Sequence, residues 1–170
     1  MYTNKISDYT LENIIFGSNR FGYNIFELYK GEKRKISFTT PIMKIPFAIE
    51  KYGKKEIVNL EFTNYNDDND TYNFFMTLKK LDQLMLQPMN LRLTLPKGFL
   101  EDISNKTYIS FLKEKKYFDP IMRTTYKGDI IGDLGKGSLA KCIVDIDSLW
   151  KTKTSYGVLL KTKLIETCDD

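Results

Sequence analysis

Three segments of this chain alternate apolar and polar residues with a period of two, and that pattern commits much of the chain to β-structure. In residues 56–63, Val58, Leu60 and Phe62 fall on one side and Ile57, Asn59 and Glu61 on the other. In residues 139–146, Ala140, Cys142, Val144 and Ile146 share a face, and in residues 155–167 so do Tyr156, Val158, Leu160 and Leu164. Residues 23–30 and 34–40 are rich in β-branched and aromatic side chains and are split by Gly31, which predicts a hairpin. Residues 107–112 and 120–126 also read as strands, and residues 129–137 as a glycine-containing loop. One segment departs from this pattern. In residues 71–87 the apolar positions Phe74, Phe75, Leu78, Leu81, Leu84 and Met85 recur every three or four residues, with Asp70 or Thr71 as a cap and Pro88 beyond the end. Residues 97–104 predict a second, short helix. Many short strands around one strong helix near 70–87 predict a mostly β fold, a closed or partly open barrel with inserted helices, over a βαβ sheet. At 170 residues the chain is expected to form one domain over 1–170, ending in a short acidic tip at 166–170.

The residue types that are missing narrow the chemistry. Histidine is absent, so there is no imidazole base, no serine–histidine or cysteine–histidine pair and no histidine metal site. Two cysteines, Cys142 and Cys168, cannot make a four-thiolate zinc site or a disulfide scaffold, which favours a reducing compartment. The glycines at 128, 132, 135 and 137 do not meet the phosphate-loop pattern, because Lys136 is followed by Gly137 and then by a strand. Asp67, Asp68 and Asp70 lack the glycine and the terminal glutamate of a calcium loop. Asp145 and Asp147 share a strand face and are the one carboxylate pair that could hold magnesium in a nuclease. A solvated strand end is the simpler reading, and no cofactor or metal is expected. No apolar stretch approaches the roughly 18 residues of a membrane helix, and the first residues lack a basic region followed by an apolar core, so neither a membrane partner nor a secretory leader is expected.

The net charge of +4 conceals strong local blocks. Residues 30–55 hold eight bases against two acids, residues 56–70 hold five acids and no base, and residues 148–163 hold four lysines and no acid. The basic blocks are interleaved with rings in KRKISFTTPIMKIPF, YFDPIMRTTYK and WKTKTSYGVLLKTK. Cations that follow phosphates and flat rings that stack on unpaired bases are the two requirements for holding a single strand. On a strand, Lys151 with Lys153 and Lys161 with Lys163 would each line one surface.

These motifs resemble a family of viral single-stranded DNA-binding proteins found in nucleocytoplasmic large DNA viruses and related to the T7-type phage protein. TTPIMKIPFAIEKYGKKEIVNLEF resembles that family's T-P-x-M-x-x-P-F-G-[IV] element, with Ala48 in place of the glycine and Ile42 where a cation is common. The helix carries F-x-x-L-x-x-L-D at Phe75, Leu78, Leu81 and Asp82. A Y-x-x-P-x-x-[KR] element follows at Tyr117, Pro120 and Arg123, and then Trp150 and the S-Y-G strand from Ser155. The resemblance implies a five-stranded, partly open oligonucleotide-binding barrel (OB-fold) that covers displaced strands during replication and performs no chemistry. Within the matched motifs, the interleaving of bases and rings assigns phosphate contacts to Lys33, Arg34, Lys35, Lys44, Arg123, Lys127, Lys151 and Lys153, and stacking to Phe38, Tyr117, Tyr126, Trp150 and Tyr156. Single-stranded DNA is the expected partner, with RNA open, and replication proteins could be met through the acidic tip. Composition rich in lysine, asparagine, isoleucine and tyrosine fits a virus-like element, such as a yeast linear plasmid, replicated in the cytoplasm. The rival readings are a metal-dependent nuclease or nucleotide-handling enzyme built on Asp145, Asp147 and the 129–137 loop, and a replication-complex adaptor.

Overall fold

The computed structural model describes residues 4–20, 22–88 and 95–168. β1 (Ile14–Asn19) pairs with β2 (Gly22–Tyr29), and the predicted hairpin is β2 with β3 (Glu32–Arg34), turning at Lys30 and Gly31. Both turn residues have positive φ, 50° and 79°, as a tight two-residue β-turn requires. The strand predicted over 34–40 does not continue along β2. It breaks at Lys35, and β4 (Ile36–Thr39) crosses to pair with β11 (Ser138–Lys151). The chain continues through β5 (Met43–Ile45), β6 (Glu50–Tyr52), β7 (Lys55–Glu61), α1 (Asn69–Leu86) and α2 (Phe99–Ile103). It ends with β8 (Thr107–Ile109), β9 (Leu112–Lys115), β10 (Phe118–Ile131), β11 and β12 (Ser155–Cys168).

Five of these strands form a ring in the order β11, β5, β7, β10, β12 and back to β11. All neighbours are antiparallel except β10 and β12, which run parallel. The β5–β7 link is one residue pair, Lys44 opposite Glu61, so the ring is only just short of a full barrel there. Val58, Leu60, Phe62, Met122, Ala140, Val144 and Leu160 point inside and are at most 1% exposed. The period-two reading of β7 and β11 therefore names the ring's interior correctly.

The helix falls where its spacing predicts, with a different cap. Asp68, not Asp70 or Thr71, is the N-cap, and it accepts from the Thr71 amide at 3.2 Å and the Thr71 hydroxyl at 2.6 Å. Phe74 packs against Phe38 and Phe62, with ring centroids 5.7 and 5.8 Å apart, and Phe75 packs against Phe62 at 5.0 Å. At the other end of α1, the Tyr156 hydroxyl donates to the Met85 carbonyl at 2.9 Å, satisfying a carbonyl the helix leaves unpaired. Asp82 accepts from Tyr108 and Ser110 at 2.6 and 2.5 Å, tying α1 to the β8 region. A second cluster, Phe16, Tyr23 and Phe99, joins β1 and β2 to α2.

The alternation of β12 fails at one point. Lys163 is an extra residue on β12, because Ile143 pairs with Leu164 while Val144 pairs with Thr162. Opposite it, β10 shifts register between Tyr126 and Asp129. The inward set is thus Tyr156, Val158, Leu160, Thr162 and then Ile165, and Leu164, predicted inside, is only half-buried. The buried Thr162 hydroxyl is not stranded: it lies 2.7 Å from the Thr124 hydroxyl, which also contacts the Val58 carbonyl at 3.1 Å. Gly128 makes the paired irregularity possible. A Cβ there would lie 1.9 Å from the Lys163 carbonyl oxygen. Gly128→Ala is therefore expected to lower stability by about 1–3 kcal/mol. Gly135→Ala, whose Cβ would meet nothing nearer than Ser138 Oγ at 3.9 Å, should leave the melting temperature nearly unchanged in the same thermal scan.

Candidate nucleic-acid interface

In a sheet, directly paired residues and those two apart project to one side, so the pairing registers assign the outward face of the ring. Lys44 of β5 is opposite Glu61 of β7, which is opposite Ile121 of β10. Ile121 is also opposite Lys113 of β9. Two residues along, Arg123 faces Asn59, and Thr125 faces both Ile57 of β7 and Lys161 of β12. On β6, Tyr52 pairs with Lys55 and Glu50 with Ile57. These registers put Lys44 of β5, Lys55 of β7, Lys113 of β9, Arg123 of β10 and Lys161 of β12 on one outward side of the ring, around Ile57 and Asn59, which are themselves buried.

Two carboxylates lie on this surface, Glu61 and Glu50, and both are engaged: Glu61 accepts from the Thr63 hydroxyl at 2.9 Å. Glu50 accepts from Tyr52 at 2.5 Å and from Asn59 at 2.8 Å. The Tyr52 bond, aided by Asn59 and by nearby Arg123 and Lys113, holds its carboxyl below the ordinary range. The same bond pushes the Tyr52 phenol up. At one end the surface opens into a cleft of about 510 Å³ where Lys54, Lys55, Lys127 and Lys161 meet Tyr126 and one carboxylate, Glu56, which is ion-paired with Lys51 at 3.9 Å. The Tyr126 hydroxyl donates to the Gly128 carbonyl at 2.8 Å, and burial, with Asp129 and Glu56 nearby, raises its phenol pKa. At the other end is the β9–β10 hairpin, where Tyr117 and Phe118 are 82% and 72% exposed and Lys116 lies over the Tyr117 ring. Phe47, on the connection between β5 and β6, and Tyr52 are also exposed, at 48% and 57%.

Of the residues singled out from sequence, Lys44, Arg123, Tyr126 and Lys127 lie on or beside this surface, and Tyr117 stands at its hairpin end. Two predicted stacking rings are corrected. Phe38 is 0% exposed in the contact between the ring and α1, and Tyr156 is 4% exposed with its hydroxyl spent on Met85. Their periodicity was compatible with either side of a strand, and the structure turns both inward. Arg34 is bound to Glu27 at 2.6 Å, and its guanidinium lies over the rings of Tyr9 and Tyr29 at 4.5 and 3.9 Å. The Glu27 bond holds it still more firmly protonated, so it braces the β2–β3 hairpin. Lys33 is exposed beside the Phe26 ring on the same hairpin, away from the ring strands.

Lys151 and Lys153 do not share a surface. Lys153 sits in the exposed turn between β11 and β12, whereas Lys151 is ion-paired with Asp102 on α2 and lies over Tyr23. Trp150 is half-buried, and a Cβ at Gly157 would lie 2.6 Å from its Cζ2, so the ring rests on that glycine's backbone. Lys35 reaches Asp147 and Asp145 at 3.3 and 3.5 Å. The residues of this surface that sequence reasoning did not name are Lys54, Lys55, Tyr52 and Lys113. The K-Y-G-K-K turn was a visible signal for the first three; nothing local marked Lys113.

No protein-family model matches this chain, and no curated protein sequence matches it. Solved structures do match in fold. Gp2.5, a single-stranded DNA-binding protein encoded by bacteriophage T7, gives a TM-score of 0.52 at 12% identity, over 81% of this chain and 89% of that one. The single-stranded DNA-binding protein of bacteriophage Enc34 gives 0.50 at 11% identity, over 92% and 90%. A C-terminally truncated form of the Enc34 protein gives 0.50 at 8% identity, over 94% and 95%. The fold is the OB-fold of these phage proteins. At such identities the likeness reaches the fold and stops there.

The Asp102 cluster carries a pH signature. Lys151 chiefly, and Tyr23 donating at 2.9 Å, hold the Asp102 carboxyl below its ordinary value despite partial burial, while burial and Asp102 push the Tyr23 phenol up to about 12. A depressed carboxylate stabilises the fold fully above the unfolded range near about pH 4, and that contribution is lost as pH falls through the lower folded value. Asp102→Asn is expected to be less stable at neutral pH and to lose less further stability than the parent between about pH 5 and pH 2 in denaturant titrations. Parallel curves for the two proteins would refute the assignment.

Proposed function

We propose that this protein binds single-stranded nucleic acid, DNA first, largely without regard to sequence and without catalysing a reaction on it. The observation that carries the reading is the outward β7–β10 surface. It gathers Lys55 and Arg123 on the strands that OB-folds use to take up oligonucleotides, with Lys44 of β5 and Lys113 of β9 beside them and exposed rings at its margins. The ring's second and third strands in chain order are β7 and β10, and its first connection, residues 46–54, carries the exposed rings of Phe47 and Tyr52. The phage proteins of similar fold are themselves single-stranded DNA-binding proteins. We place the activity in replication, protecting displaced strands of a virus-like element in the cytoplasm, with residues 166–170 as a handle for replication proteins; Asp169 and Asp170 lie outside the described residues.

The nuclease reading loses ground on geometry. Asp145 and Asp147 are compensated by Lys35, Lys161 and Lys163, with nitrogen–oxygen distances of 3.1 to 3.8 Å, and a divalent cation would have to displace those ammonium groups.

The test is a titration of a dT oligomer, a duplex and an RNA of equal length by anisotropy at several salt concentrations. Preference for single strands over duplex is expected, with a log–log salt slope near about −3.5 if Lys44, Lys55, Lys113, Arg123 and Lys127 meet one phosphate each. Replacing Lys55 and Arg123 together by alanine should reduce the slope to about −2.1. Tyr52→Ala should cost roughly 1–3 kcal/mol if that ring carries a base. Equal affinity for duplex, or salt-independent binding, would overturn the proposal.

A further inference from the structure

The outward surface continues past Lys161 onto β11, and there its lysines are already occupied. Asp145 of β11 is directly opposite Lys161 of β12. Asp147 Oδ1 lies 3.3 Å from Lys35 Nζ and 3.8 Å from Lys161 Nζ. Asp145 lies 3.1 Å from Lys163 and 3.5 Å from Lys35. Two carboxylates thus hold three ammonium groups, and one of these, Lys161, also lines the basic cleft with Lys54, Lys55 and Lys127.

The two acids are placed differently. Asp145 is 4% exposed. Burial alone would raise its carboxyl, but Ser37, Lys163 and Lys35 outweigh that and hold it low, so it is fixed as a charge within the sheet. The Asp147 side chain is 22% exposed and meets its lysines from the solvent side. Ion pairs within reach of water are weak, and their partners exchange readily. A phosphodiester is also a singly charged oxyanion, and an ammonium group donates to either.

We propose that Asp147 sets the affinity of the single-strand site. It is a carboxylate built into the phosphate path that holds Lys35 and Lys161 in the free protein and yields them to a phosphodiester on binding. This rests on the single-strand reading above. After the exchange the carboxylate stays beside the incoming phosphate, and its repulsion lowers the affinity. Its removal therefore strengthens binding, the reverse of what loss of a merely structural ion pair would do.

The test compares the full-length protein with Asp147→Asn, using the dT oligomer at several salt concentrations. Glu101→Gln serves as the control, since it changes the net charge equally on the exposed side of α2. Asp147→Asn is expected to bind about two- to fivefold more tightly, on the scale of one exposed ion pair. Its salt slope should stay close to the parent's, because both proteins meet the same phosphates once the lysines are released. Glu101→Gln should bind as the parent does. Asp147→Ser, a second neutral replacement, must move in the same direction, which covers a failure of the asparagine variant to fold. Unchanged or weaker binding by variants that melt like the parent would overturn the proposal, as would equal tightening by Glu101→Gln. A parent that binds the oligomer while the Asp147 variants do not tighten would sink this inference alone; a parent that binds no single strand would sink both.

Discussion

The parallel pairing of β10 with β12 is the constraint on which the rest of the molecule depends. It turns a run of antiparallel hairpins into a ring, because β12 also pairs along its length with β11. It brings Thr125 beside Lys161 and so joins the β7–β10 surface to the lysines of β12. The ring closes only because each of these strands carries an irregularity at the same level, with Gly128 passing the Lys163 carbonyl where no side chain fits. Past that point β12 presents Ile165 inward in place of Leu164. Lys163 is left outside, where it reaches Asp145.

Charge in this protein is organised by long-range pairing and not by its blocks along the chain. The basic block at 30–55 divides three ways. Arg34 is consumed by Glu27 and two rings, Lys35 by Asp145 and Asp147, while Lys44 and Lys55 reach the outward surface. The block at 148–163 divides in the same way, since Lys151 goes to Asp102 and Lys161 to Asp147. What remains open is the set of cations along β7 and β10, Lys44, Lys55, Lys113 and Arg123, with the exposed rings of Tyr52, Tyr117 and Phe118 near its ends. A surface that is only partly compensated suits a ligand that must be held by its backbone and released again.

Much of the architecture was legible in the sequence, and the reasons are physical. The period of β7 and β11 named the ring's interior because each buries one face completely, and the α1 stripe named its packing face because a helix repeats every 3.6 residues. The site was less legible. Phe38 and Tyr156 alternate with polar neighbours as platform rings would, but alternation does not say which side is inside until the partner strands are known. Arg34 looks like a phosphate contact until Glu27, seven residues away and across a hairpin, is placed against it. Lys113 could not be found locally, since only the β9–β10 register brings it next to Arg123. The resemblance of the T-P-x-M-x-x-P-F segment to the viral family pointed to the fold that the structure has. It also drew attention to Lys44, which lies on the β5–β7 link that closes the ring.

Nucleic acid lying across β7, β10 and β12, as proposed, would leave a residue-resolved footprint on those strands. Amide chemical-shift perturbation of the labelled protein with a dT oligomer should concentrate at Tyr52, Lys55, Arg123, Thr125 and Lys127 and extend to Lys161 and Asp147. The β2–β3 hairpin around Lys33 and Arg34 should stay unshifted. A footprint centred on that hairpin or on the Asp102–Lys151 cluster, or no shifts at low salt, would contradict it.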